Sequence, residues 1–177
     1  MTWRTHVVGG IATLWFLGSS AVLGASDPVG AGNPIVLSAL AGFGALLPDL
    51  DAQESRIKNL TTFGIRPFFL PAVALHHALG HRGMLHSAMG LMLMAVVLGL
   101  PVGLWLGTTP MIALLLGYAS HLVLDGATKA GIPLWFPNPQ RLHLLPLCLR
   151  VTTGSQAEDG VLIALILLVA TYFLTSI

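Results

Sequence analysis

The chain has 177 residues, 55% of them hydrophobic and only 8% charged, where a soluble domain carries about 25% charged residues. That balance leaves too little charged surface for a water-soluble enzyme, and it equally excludes a disordered, collagenous or coiled-coil chain. A net charge of +1 excludes nucleic-acid binding driven by a large basic field, and the single cysteine, Cys148, excludes a disulfide framework or a Cys-rich zinc knuckle.

What remains is an all-α integral membrane bundle in one domain, 1–177. A spanning helix needs about 20 apolar residues, with a working range of about 17–25. In chain order, Val7–Leu23 is uncharged and longer than the roughly 7–15 residue core of a cleaved leader, so it reads as a span. Val29–Leu47 follows and ends at Pro48-Asp49. Pro67–Gly80 is apolar but short and contains Pro71, His76 and His77, which predicts a re-entrant or interfacial helix over 67–80. The uncharged run from Ser87 to Ser120 is too long for one helix, and Gly107-Thr108-Thr109-Pro110 divides it into Ser87–Leu106 and Pro110–Leu124. A long polar loop occupies 126–159, with Trp135, Phe136 and several prolines at home in the headgroup region, and Gly160–Ile177 closes the chain.

With five spans, all eight basic residues fall on one face: Arg4, Arg56, Lys58, Arg66, Arg82, Lys129, Arg141 and Arg150. The positive-inside rule makes that face cytoplasmic, with the N-terminus inside, the C-terminus outside and 126–159 a cytoplasmic loop. The same face gathers His6 at the start of the first span, Asp49 and Asp51 at the end of the second, His81 and His86 before the third, His121 and Asp125 at the end of the fourth, and Glu158 before the fifth.

Ionisable groups are costly in spanning segments and point to function. His121 and Asp125, four residues apart, share a helix face. They can bind one divalent ion together, or one can ligate while the other orients it; the plain alternative is a core histidine beside an interfacial carboxylate. Asp49 and Asp51 diverge in a helix but converge in a turn, and carboxylates beside imidazoles suit hard or borderline cations. His81 and His86 can both turn inward if Gly83 breaks the helix, and Arg82 between them offers a planar fork to an anionic oxygen. Glu158 reads as a ligand or general base, or as an acidic residue complementing a helix N-terminus. Arg141 and His143 could touch a headgroup. The expected ligands are therefore His6, Asp49, Asp51, His81, His86, His121 and Asp125, for one to three divalent ions. Zinc is the first choice and manganese the second, with Arg82 and Glu158 as catalytic groups.

Leu47-Pro48-Asp49-Leu50-Asp51, His81-Arg82-Gly83 with His86-Ser87, and Ser120-His121 with Asp125-Gly126 resemble a family of bacterial inner-membrane proteins described as metal-dependent hydrolases, the LexA-regulated type. The resemblance spans about residues 1–160 and includes His6 followed by Gly9-Gly10, and Gly154-Ser155 before Glu158. Leu85 departs from the family's usual Thr or Ser, which removes one hydrogen bond beside the position of His86. The donor set is also loosely similar to the zinc-dependent phospholipase C and P1 nuclease group, which implies phosphoester hydrolysis. A site at headgroup depth implies a lipid or lipid-linked substrate. The alternative function is a non-enzymatic membrane protein whose structural metal docks a partner. An ion transporter fits less well, because the polar residues gather at one end of the bundle.

Overall fold

In the computed structural model, residues 1–17, 32–51 and 83–175 are described. Helix α1 (Trp3–Leu17) begins four residues before the expected span, because Thr2 and Thr5 are anchored to the far end of the chain. Helix α2 (Pro34–Gly44) starts later than the apolar run suggested. Asn33 accepts a hydrogen bond from the Ile35 amide at 2.9 Å, and Pro34 supplies the fixed φ of a first helical residue. A 3-10 turn, Leu47–Asp51, carries the chain past α2. The interfacial helix expected over 67–80 lies outside the described residues, as do His81 and Arg82.

After a short 3-10 turn, Met84–His86, the Ser87 hydroxyl caps helix α3 (Ala88–Leu106) through the Gly90 amide. Midway, Ala95–Gly99 widens to π-helical register just before Pro101, whose ring carries no amide hydrogen. Gly107, at φ 100°, breaks the chain where the sequence indicated, and helix α4 (Thr108–Gly126) runs back. Helix α5 (Gln156–Thr175) starts before Gly160, because Glu158 and Asp159 suit a helix's first turn.

The described residues contain five helices and no strand. The segment after α4 is nevertheless ordered. Ile132 and Leu142 exchange backbone hydrogen bonds of 3.1 and 2.8 Å, and Thr128 and Val151 form a second bridge, so the segment folds as a cap under α4. Among the described residues two helices, α3 and α5, are long and apolar enough to cross a membrane. Their outer faces expose Leu104, Trp105, Ile163, Leu167 and Leu174, a pattern that water penalises and hydrocarbon accepts.

Helix α4 is central, packed against α1, α2 and α3. It meets α2 backbone to backbone. A Cβ on Gly44 would lie 2.0 Å from the Leu114 carbonyl oxygen, and one on Gly117 would lie 2.0 Å from the Ala41 carbonyl oxygen. Small residues at such crossings replace the hydrophobic drive that lipid removes. Gly117→Ala is therefore expected to destabilise the protein by about 3 kcal/mol, the upper end of overpacking costs. Gly160→Ala, which meets open space on α5, should be neutral or slightly stabilising. Thermal unfolding of both variants in detergent checks the contrast.

Candidate metal centre

The close crossing of α2 on α4 sets the turn after α2 beside the last two turns of α4, and the capped start of α3 faces both. His121 points inward from α4 and is fully buried. Its Nδ1–H donates to the Ala45 carbonyl at 2.7 Å, with the donor assigned from the partner. That bond fixes the tautomer and leaves the Nε2 lone pair free, as in histidines that ligate metals.

Around His121 Nε2 lie His86 Nε2 at 3.3 Å, Asp125 Oδ2 at 3.5 Å and Asp49 Oδ1 at 3.8 Å. His86 Nε2 is 3.6 Å from Asp49 Oδ1 and 3.9 Å from Asp125 Oδ2. Four donors placed tetrahedrally at zinc distances of about 2.0–2.1 Å sit roughly 3.3 Å from one another. The five observed separations lie close to that value, so two imidazoles and two carboxylates gather at ligand spacing around His121.

His6 stacks on His121 with ring centroids 3.6 Å apart, and its Nε2 is 3.2 Å from Asp125 Oδ1. The two Asp125 oxygens therefore face different imidazoles, the disposition of a bridging carboxylate. His6 also groups with Asp49 and His121 closely enough to share an ion. Its Nδ1 is fully buried with no hydrogen-bond partner among the described residues, which polar burial normally forbids. The α-ammonium of Met1 pairs with Asp125 Oδ1, so a cationic group already meets this carboxylate. Burial opposes the ionisation of Asp49. The His86 imidazole 3.6 Å away and the nearby His121 and His6 outweigh it and hold the carboxyl below its ordinary range. Donor chemistry, spacing and an orphaned buried imidazole nitrogen all fit a divalent ion.

The cluster thus brings together His6, Asp49, His86, His121 and Asp125 of the expected set. Asp51 lies in the same 3-10 turn, but its side chain is outside the described residues. Glu158 is not in the cluster. Only 2% exposed, it accepts from Thr5 Oγ1 at 2.7 Å, from the Thr2 amide and, through its other oxygen, from the Gly154 amide at 2.7 Å. It ties the start of α1, and so His6, to the start of α5. Sequence reasoning passed over Thr5 and the Ala45 carbonyl. A buried threonine one residue before a candidate ligand was the one available sign of the first, and a backbone carbonyl leaves no sign.

The model of the YdjM inner membrane protein family matches residues 1–177. The chain belongs to this family. Protein YvsG of Bacillus subtilis is 32% identical over 173 residues, covering 98% of this chain and 94% of that protein. Inner membrane protein YdjM of Escherichia coli is 32% identical over 122 residues, 68% of this chain and 58% of that protein, and its Shigella flexneri counterpart aligns to the same extent. No solved structure matches. Family membership makes this a bacterial inner-membrane protein, which agrees with the lipid-suited faces of α3 and α5.

Proposed function

We propose that this YdjM-family protein is a membrane-bound metal-dependent hydrolase that cleaves a phosphoester of a lipid or lipid-linked substrate. The observation that carries the reading is the gathering of Asp49, His86 and Asp125 around His121, with five separations of 3.3–3.9 Å and His121 oriented by the Ala45 carbonyl. In this reading the chain spans the membrane five times and the site faces the cytoplasm, where the positive-inside rule places the N-terminus. Zinc is the expected ion.

Such an ion, when bound, lowers the pKa of a coordinated water from 15.7 to about 7 and so supplies a nucleophile at neutral pH. The chain's own residues do the rest. His121 and His86 present Nε2 lone pairs, and Asp49 and Asp125 balance the cation's charge. His6 closes the buried side, while Asp49, His86 and Asp125 line a pocket open to the outside. Arg82, four residues before His86, is placed in sequence to hold developing negative charge, an effect worth about 3 kcal/mol for a single well-aimed donor. In the net reaction the water oxygen joins phosphorus, the phosphorus–alcohol bond breaks and a proton leaves with the alcohol. An amphiphilic substrate is favoured because the capping loop exposes Trp135, a residue type that settles at headgroup depth, beside the apolar Leu147 and Leu149.

The test is a bacterial lipid extract incubated with the purified protein, with added zinc or manganese and with chelator. The expected result is a phosphate or phosphoalcohol product that needs metal and is lost in His121→Ala. Metal-loaded protein that turns over nothing in the extract would leave the cluster a structural site and end the hydrolase reading.

A further inference from the structure

We propose that Arg141 is the anion-binding residue of the pocket that opens onto the cluster, and that its ligand is a phosphate group. The inference deepens the hydrolase reading and rests on it. Asp49, His86 and Asp125 line the pocket together with Thr128, Gly131 and Arg141. The lining therefore holds both metal-type donors and a guanidinium, together with Met1, whose ammonium pairs with Asp125.

Backbone carbonyls hold that guanidinium. Its Nη1 donates to the carbonyls of Ala130 at 3.1 Å and Gly131 at 3.4 Å. Donors on Nη2 and Nε remain for a ligand. Among the described residues no carboxylate pairs with Arg141, although Asp125 lines the same pocket. The adjoining Leu142 is locked by its paired hydrogen bonds with Ile132. Gly131 turns the chain at φ +63°, where a Cβ would meet His143 Nε2 at 2.6 Å and the Leu142 carbonyl at 2.8 Å. Glycine is required there, and the turn sets both carbonyls under the arginine.

The two carboxylates repel an anion except as cations neutralise them, the Met1 ammonium at Asp125 and a divalent ion when one is bound. An anion in the pocket then has the Arg141 guanidinium for a partner. The planar fork takes two oxygens side by side. A carboxylate has then spent both of its oxygens, whereas a phosphate keeps others for the rest of the pocket. This geometry selects phosphate, and both a lipid headgroup and free phosphate carry it.

The experiment titrates inorganic phosphate into the full-length protein by calorimetry, with metal content and Tm read on the same samples and a chelator-treated arm run alongside. Arg141→Ala is expected to weaken phosphate binding about tenfold or more, the scale of a lost charge-assisted pair, with metal content and Tm unchanged. Arg141→Lys should restore part of the loss. In nanodiscs, competition by phosphatidic acid over phosphatidylcholine would identify the headgroup as source, and its absence would identify free phosphate. Both outcomes support the site. Wild-type affinity in Arg141→Ala overturns the proposal. So does a metal-loaded wild type that binds no phosphate, or a loss of metal and Tm in Arg141→Ala. If the wild type holds no metal while Arg141 still governs phosphate binding, the anion site stands and the hydrolase reading falls.

Discussion

Glu158→Ala is expected to destabilise the protein by roughly 3–4 kcal/mol, because each buried donor left without its acceptor costs about 1–3 kcal/mol. Three donors lose theirs: the Thr5 hydroxyl and the amides of Thr2 and Gly154. The two amides are only partly buried and regain some hydration, which keeps the sum below three full penalties. Thermal or denaturant unfolding in detergent measures the loss, and Thr5→Val should fall in the same direction at about 1 kcal/mol. Freeing the start of α1 also loosens His6, so Glu158→Ala should hold metal more weakly than the wild type. Glu158→Gln separates a clamp from a general base. It retains an oxygen for Thr2 and Thr5 but sets an amide against the Gly154 N–H, so a clamp predicts a modest fall in Tm with metal kept. A base would instead lose about 10²–10⁴-fold in turnover at unchanged Tm.

His121→Ala is expected to weaken metal binding by about a hundredfold or more. A four-ligand site binds its ion with roughly 10–16 kcal/mol, so one ligand carries on the order of 3 kcal/mol. His121 lies within 3.3–3.8 Å of three other donors and stacks on His6, which makes it the centre of the set. Competition against a metal-binding dye reads the affinity. Ser87→Ala is a useful contrast, since it removes the cap of α3 without touching the donors and should cost about 1 kcal/mol of stability. Equal metal affinity in His121→Ala and wild type would remove this residue from the site.

Much of this arrangement was legible in the sequence, for a physical reason. Apolar runs fix where helices lie, and ionisable residues interrupting them can only sit at helix ends or in a shared polar pocket. That logic placed His6, Asp49, His86, His121 and Asp125 together and found the break at Gly107. It failed where the signal was local or long-range. Asn33-Pro34 starts α2 inside an uncharged stretch that hydropathy treats as uniform. The apolar run bounds the last span at Gly160, four residues late, although Glu158 reads as able to complement a helix N-terminus. The clamp on Glu158 joins residues more than 150 positions apart, two of its partners being backbone amides that every residue possesses. Arg141 gains its place from bridges at Ile132 and Thr128 too short to leave a periodic pattern.

The most direct test of the account is the metal content of the purified wild-type protein, determined by elemental analysis with His121→Ala/Asp125→Ala as the baseline. The account predicts at least about one zinc-type ion per chain in the wild type and a near-empty double variant that still folds. Negligible metal in both, from protein purified without chelator and reloaded with zinc, would contradict it.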